Sequence, residues 1–249
     1  MEKKSFSGVH AVIFDKDGTL IDFDAFWISV SERALELLFS ELGVCDGGAI
    51  KAEIMLELGV VDGVTDIDGV LCRGTYRQIS RIVYDRLSLN GITVGLDALH
   101  ERLLAAYSNA SDAGVIKPTA PGVADALREL HSRGVRLAVV TTDNEEITKK
   151  CLCALGVIEL FDKIYCDDGI IPTKPNPEAI KAFCECYGIS REGIVMVGDT
   201  MTDVLFARAG GVPAIGVSLS ELGRQRLLGA ADVVLRDVSE LPSVILEQL

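Results

Sequence analysis

From about residue 114 to the end, short apolar runs alternate with segments whose apolar positions recur every three or four residues. A short apolar run bounded by turn residues fits a strand covered on both faces, and the longer period fits an amphipathic helix. The alternation predicts an α/β fold, a Rossmann-like parallel sheet core with helices on its faces. The predicted strands are 9–14, 135–140, 163–166, 194–197, 214–217 and 233–235. Pro121 stands at the start of a helix with Val123, Leu127 and Leu130 on one face, and Gly134 stops it. Asp143 or Asn144 can cap the next helix, which opens on Glu145 and Glu146, carries Lys149 and Lys150 later and ends at Gly156. Further helices are predicted over 177–187 and around 204–209.

Residues 24–112 follow a different rule, with helical repeats and no strand pattern. Phe26, Val30, Ala34, Leu37 and Leu38 mark a first helix before Gly43, and residues 50–58 a second. Tyr76, Ile79, Val83 and Leu87 mark a third, and Leu99, Leu103, Ala106 and Tyr107 a fourth. The expected organisation is an inserted all-helical cap domain over 23–113, interrupting a core made of 1–22 and 114–249. Residues 22–24 and 112–118 are the candidate hinges.

Composition narrows the partners. The chain has 249 residues, 49% of them apolar, enough for one large or two modest domains. Its net charge of -13 and the lack of a basic stripe argue against nucleic acid. Met1–Lys4 is basic, but the apolar stretch after it is too short for a signal peptide or a membrane span, so no membrane partner and a cytoplasmic location are expected. Seven scattered cysteines then read as reduced thiols. Cys151/Cys153 and Cys184/Cys186 lie in helical patterns, where residues two apart point in different directions, and are expected to be buried or half-buried structural residues. His10 reads as part of a core strand.

The candidate chemistry sits where the first strand ends, at Asp15-Lys16-Asp17-Gly18-Thr19-Leu20. Strand side chains repeat every two residues, so Asp15 and Asp17 share a side; one carboxylate can attack phosphorus and the other can handle a proton. Gly18 lets the chain turn away at once. Other strand ends carry complementary groups. Thr141 and Thr142 offer hydroxyl donors, Lys174 is held beside Pro175 in Thr173-Lys174-Pro175-Asn176-Pro177, and Gly198-Asp199-Thr200-Met201-Thr202-Asp203 forms a second acidic cluster. A phosphate dianion repels a carboxylate nucleophile, so positive charge is required, from Lys174 and a Mg²⁺ ion. Mg²⁺ favours hard oxygen ligands, which Asp15, Asp199 and a backbone carbonyl near Asp17 can supply.

These four motifs, in this order, resemble those of the haloacid dehalogenase (HAD) superfamily in its phosphatase branch, with phosphoglycolate phosphatase the nearest subgroup in layout. The resemblance implies an aspartyl-phosphate on Asp15, with Mg²⁺ held by Asp15, the Asp17 carbonyl and Asp199, and Asp203 as a further ligand or a neighbour of the ligands. It selects Thr141, immediately after the apolar run, as the phosphoryl-oxygen donor, with Thr142 beside it. The helical insert falls where the family places its first type of cap. Dehalogenases and phosphonoacetaldehyde hydrolases lack a carboxylate at the position of Asp17, so its presence implies a phosphate ester as substrate. Lys16 departs from the usual pattern; strand alternation should turn it away from Asp15 and Asp17, with modest effect.

In the insert, Arg73 within Cys72-Arg73-Gly74-Thr75-Tyr76-Arg77 could present a cation to a second anionic group of a substrate. Trp27 reads as packing, and Asp22 and Asp24 as hinge or helix-capping residues. The resulting expectation is a cytoplasmic, Mg²⁺-dependent phosphatase of a small phosphorylated metabolite, its oligomeric state open. A phosphomutase of the β-phosphoglucomutase kind shares the core residues and is separated by its product. A receiver-type phospho-acceptor or binding module would be shorter and lack the insert.

Overall fold

The computed structural model describes residue 6, residues 8–45 and residues 47–246; the basic start at Met1–Lys4 lies outside them. In chain order the strands are β1 (Ala11–Phe14), β2 (Val60–Val61), β3 (Val64–Thr65), β4 (Arg136–Val140), β5 (Lys163–Tyr165), β6 (Ile194–Gly198), β7 (Ala214–Val217) and β8 (Val233–Leu235). The helices are α1 (Phe23–Leu42), α2 (Gly48–Glu57), α3 (Val70–Arg73), α4 (Tyr76–Leu89), α5 (Leu96–Ala110), α6 (Val123–Ser132), α7 (Glu145–Ala154), α8 (Glu178–Tyr187), α9 (Met201–Gly210), α10 (Glu221–Leu227) and α11 (Leu241–Ile245). Two compact units result, 1–22 with 116–249 and 23–115. The second crossing thus follows Val115, slightly later than the expected 113–114.

The first unit is built on a strand with no polar face. All of β1 is buried, which requires cover on both sides and hydrogen-bonded neighbours on both edges. A six-stranded parallel sheet provides this, in the order β5-β4-β1-β6-β7-β8. The register sets Phe14 beside Val139 and Val197, so β1, β4 and β6 end side by side. The chain leaves β1 for β4 and β5 on one side and returns to β6, β7 and β8 on the other. Ligand sites of such sheets lie at the carboxyl ends of the strands where that order reverses.

On one face, Ile13, Ala138, Val140 and Met196 pack with Phe183 of α8 and Phe206 of α9. Each fully buried side chain of this size stabilises the fold by roughly 1.5–3 kcal/mol. Phe14 points the other way and meets Phe161 edge-on, with ring centroids 6.3 Å apart. Asn144 caps α7 by accepting a hydrogen bond from Ile147 N at 2.9 Å. His10 is exposed and precedes β1, which corrects its reading as a core residue.

Among the described residues, which include all seven cysteines, none forms a disulfide. Cys151 is buried and Cys184 half-buried, but Cys153 and Cys186 are exposed. Two residues advance a helix by more than half a turn, so each pair splits between the inner and outer faces.

The second unit is mostly helical. Its buried stripe includes Phe26, Val30, Ala34 and Leu38 of α1, Val83 and Leu87 of α4, and Leu99 and Leu103 of α5. Tyr107 donates to Ser31 Oγ at 3.0 Å, and burial pushes the Tyr107 phenol well above its usual pKa. Trp27 is half-buried and packs edge-on against Phe26, centroids 5.2 Å apart. The expected absence of strands is corrected by the β2–β3 hairpin, Val60–Val61 against Val64–Thr65. Its two-residue turn has positive φ at Asp62 (50°) and Gly63 (76°), the geometry Asp-Gly favours between β-branched neighbours. Asp24 anchors the hairpin, accepting from Thr65 N at 3.0 Å and Thr65 Oγ1 at 2.6 Å, so it is not a simple helix cap. Asp22 belongs to the first unit and pairs with Lys117 at 3.1 Å. Among the described residues no helix is long and apolar enough to cross a membrane.

Candidate active site

The strand register brings the ends of β1, β4 and β6 together, and with them Asp15, Thr141 and Asp199. Asp15 N donates to Val197 O at 2.9 Å, so the first residue beyond β1 is still tied to β6. The chain then closes a tight turn. Leu20 N and Ile21 N both donate to Lys16 O, and Gly18 N donates to Ile21 O. Gly18 has φ +79°, and a Cβ there would meet the Asp199 carboxylate at 2.2 Å. Only glycine combines that left-handed backbone with so close an approach. Gly198 performs the second service, since a Cβ there would lie 2.3 Å from the carboxylate carbon of Asp203.

Lys174 reaches this place from the loop before α8, next to a cis Lys174–Pro175 bond. Its Nζ donates to Asp15 Oδ1 at 2.5 Å and to Asp203 Oδ1 at 2.7 Å, and all three side chains are buried. Asp203 Oδ2 accepts from Thr200 N and Thr200 Oγ1, which fixes Asp203 in the first turn of α9. Thr19 Oγ1 donates to Asp199 Oδ1 at 3.1 Å. Burial opposes the charge on Lys174, but the carboxylates of Asp15 and Asp203 outweigh it and raise the ammonium above its ordinary range.

The acidic groups respond in the other direction. Burial pushes Asp15 up to about 7; Lys174 opposes this, while Asp203 and Asp17 add to it. Asp199 is raised well above the usual carboxylate range, again by burial first and then by Asp15 and Asp203. One carboxylate oxygen of each of Asp15, Asp199 and Asp203 lies within 4.8 Å of the other two. Converging hard oxygens that raise one another's proton affinity are a donor set suited to a Mg²⁺ ion. Asp17 is outside this oxygen cluster, so a role for it there would pass through its backbone carbonyl.

Asp17 has another partner. Lys16 is fully buried, with Nζ 2.8 Å from Asp17 Oδ1 and 2.9 Å from Asp143 Oδ2. The expectation that Lys16 turns away from Asp17 is therefore corrected. Strand alternation stops at Phe14, and the turn that follows folds the lysine back beside its neighbour. Asp143 accepts from Asn144 N through Oδ1, so one carboxylate joins a helix start to a buried lysine.

Thr141 is buried at the end of β4, donating its N–H to Tyr165 O at 3.0 Å. Its Oγ1 accepts from Asp143 N at 3.1 Å, which leaves the hydroxyl proton available to donate. Thr142 is exposed. Arg73 belongs to the second unit, where it is exposed and lies 2.7 Å from Asp68. Thr75 caps α4 in a capping box with Gln78, and Arg77 pairs with Asp97. The residues that sequence reasoning missed are Thr19 and Asp143, together with the engagement of Lys16. Thr19 was legible as part of the hexapeptide; Asp143 was visible only as a possible cap.

Known proteins are similar to this chain in sequence and in fold. A phosphoglycolate phosphatase from Agrobacterium fabrum (strain C58) is 28% identical over 237 residues, covering 95% of this chain and 92% of its own. Pyrophosphatase PpaX from Halalkalibacterium halodurans is 32% identical over 148 residues, 58% of this chain and 69% of its own. A solved Thermotoga maritima structure, of a protein proposed to be a β-phosphoglucomutase, superposes with a TM-score of 0.70 at 24% identity, over 97% of this chain and 100% of its own. The family model described as haloacid dehalogenase-like hydrolase matches residues 9–211, a span that holds Asp15, Asp17, Thr141, Lys174, Asp199 and Asp203, and on that match the chain belongs to the haloacid dehalogenase-like hydrolase family.

Proposed function

We propose that this phosphatase hydrolyses a small phosphorylated metabolite through an aspartyl-phosphate on Asp15. The observation that carries the reading is the buried contact of Asp15 with Lys174 at the end of β1, with Asp17 two positions on. An Asp15 carboxylate oxygen attacks phosphorus, a new P–O bond forms, and the bond to the ester oxygen breaks. Asp17 gives its proton to that leaving oxygen, which departs as an alcohol. Water then attacks the phosphorus of the aspartyl-phosphate, Asp17 takes back a proton, and Asp15 is regenerated as phosphate leaves.

Lys174 and the Thr141 hydroxyl bind phosphoryl oxygens, offsetting the repulsion between two anions. Asp15, Asp199, Asp203 and the Asp17 carbonyl would hold Mg²⁺, which supplies positive charge against the phosphoryl oxygens. Arg73 would meet a second anionic group of the substrate, a role its exposed guanidinium supports.

The test is phosphate release from a panel of phosphorylated metabolites in the presence of Mg²⁺, with Asp15→Asn as control. The panel includes phosphoglycolate and pyrophosphate, the compounds for which the two relatives are named. Release from a small ester that disappears in Asp15→Asn is expected. Isomerisation of a sugar phosphate that needs a bisphosphate primer, without net release, would replace the phosphatase reading by the phosphomutase one.

A further inference from the structure

We infer that Lys16, anchored by Asp143, is a positioning residue that holds the Asp17 carboxylate in the orientation needed for proton transfer to the leaving group. The inference rests on the phosphatase reading above, because it assigns Asp17 the proton. It begins from a side chain that the expected site does not use. Lys16 is fully buried, and a buried ammonium is tolerated only where anionic partners surround it. Those partners are Asp17 Oδ1 at 2.8 Å and Asp143 Oδ2 at 2.9 Å.

The anchor is itself held. Asp143 Oδ1 accepts from Asn144 N at 2.8 Å, and Asp143 N donates to Thr141 Oγ1 at 3.1 Å. A continuous set of contacts therefore runs from the end of β4, through Asp143 and Lys16, to Asp17 at the end of β1. Its two ends are Thr141, which faces phosphoryl oxygens in the proposed reaction, and the proton donor. Lys16 occupies Oδ1 of Asp17, which directs proton transfer to Oδ2. An aspartate has few rotamers, and a side chain displaced by about an ångström loses most of the benefit of orientation.

The consequence depends on the leaving group. An alkoxide is a poor leaving group and needs the proton as its bond to phosphorus breaks, whereas 4-nitrophenolate does not. The value of kcat/KM reports events up to that first cleavage. In Lys16→Met, kcat/KM for an alkyl ester, phosphoglycolate or the best alkyl phosphate of the panel, is expected to fall about 100-fold, and that for 4-nitrophenyl phosphate less than about threefold. The fall should lie mainly in kcat, since Asp17 contributes little to binding of the ground state.

Lys16→Met also strips Asp143 of its partner, so folding needs its own control. The double variant Lys16→Met/Asp143→Asn removes that unpaired charge and should recover the melting temperature without recovering alkyl-ester turnover. A crystal structure of the double variant should show the Asp17 carboxylate turned from its wild-type rotamer. Equal losses on both esters, recovery of alkyl turnover together with stability, or an unmoved Asp17 carboxylate would overturn the inference. If wild-type protein releases phosphate from neither ester, the proposed function fails, while the Asp17 rotamer in the double variant still decides the positioning role.

Discussion

The two units handle charge in opposite ways. In the first, Lys16 and Lys174 have side chains 0% and 4% exposed, and each is gripped by two carboxylates. In the second, Arg73 and Arg77 are 55% and 52% exposed and pair with carboxylates on the surface. Surface pairs are worth about 0–1 kcal/mol, because water and salt screen them and ordering long side chains costs entropy. Burying a charge costs several kcal/mol, offset only by close partners of opposite sign. A fold that packs lysines and aspartates at the ends of its central strands gives up stability there, and the chemistry proposed for those residues accounts for the concession. The second unit makes no such concession, so its charges say little about what it binds.

The contrast can be broken most severely at Asp15. Asp15→Asn keeps the shape of the side chain but removes the proposed nucleophile, and turnover should fall by at least ~10⁴-fold in steady-state assays. Next comes Gly18→Ala, which places a methyl group in the Asp199 carboxylate at a left-handed position. It should destabilise the protein by more than about 1 kcal/mol in denaturant melts and lower activity, because the strain falls on the acidic cluster.

The metal tests the same cluster through stability. Asp15 has a folded pKa of about 7 against a reference value of 3.8, so the folded state retains a proton that the unfolded state has lost. In metal-free protein this term weakens the fold as pH rises from the reference value towards the folded one, and the loss is complete above it. A divalent cation bound at the cluster would take the place of that proton. Mg²⁺ should therefore raise the melting temperature more at pH 8 than at pH 5, with a stabilisation of about 2.7 kcal/mol at a hundredfold excess over Kd. Equal shifts at both pH values would place the ion elsewhere.

The smallest effect is expected at Arg73. Arg73→Ala should change stability by less than about 1 kcal/mol, since it removes one exposed pair. A rise in KM confined to esters with a second anionic group would then identify a substrate contact without a folding explanation.

Much of this arrangement was legible before any coordinates. The apolar runs located every strand of the six-stranded sheet to within two residues at either end, because a parallel strand covered on both faces has no polar positions to blur it. Asp15 and Asp199 stood out because charged residues at the ends of such runs have to be placed somewhere costly, and Lys174 because the prolines beside it fix it in a loop. The β2–β3 hairpin was legible too, in Val60-Val61-Asp62-Gly63-Val64-Thr65, but its strands are shorter than any periodicity window. Cys153 and Cys186 were misjudged because a residue type that is usually buried was weighed above the helical angle.

What the sequence determined alone was the six strands of the parallel sheet, the helices α1, α2 and α4 to α9, and the residue types waiting at the strand ends, all of which follow from local periodicity and turn chemistry. Only the tertiary structure decided who meets whom. Lys16 and Asp143 are far apart in the chain, and no local rule predicts that the turn after Phe14 folds the lysine onto Asp17 while the segment between β4 and α7 delivers a carboxylate to its other side. Such contacts depend on sheet order and on the space left by neighbouring side chains, quantities that exist only once the strands are packed.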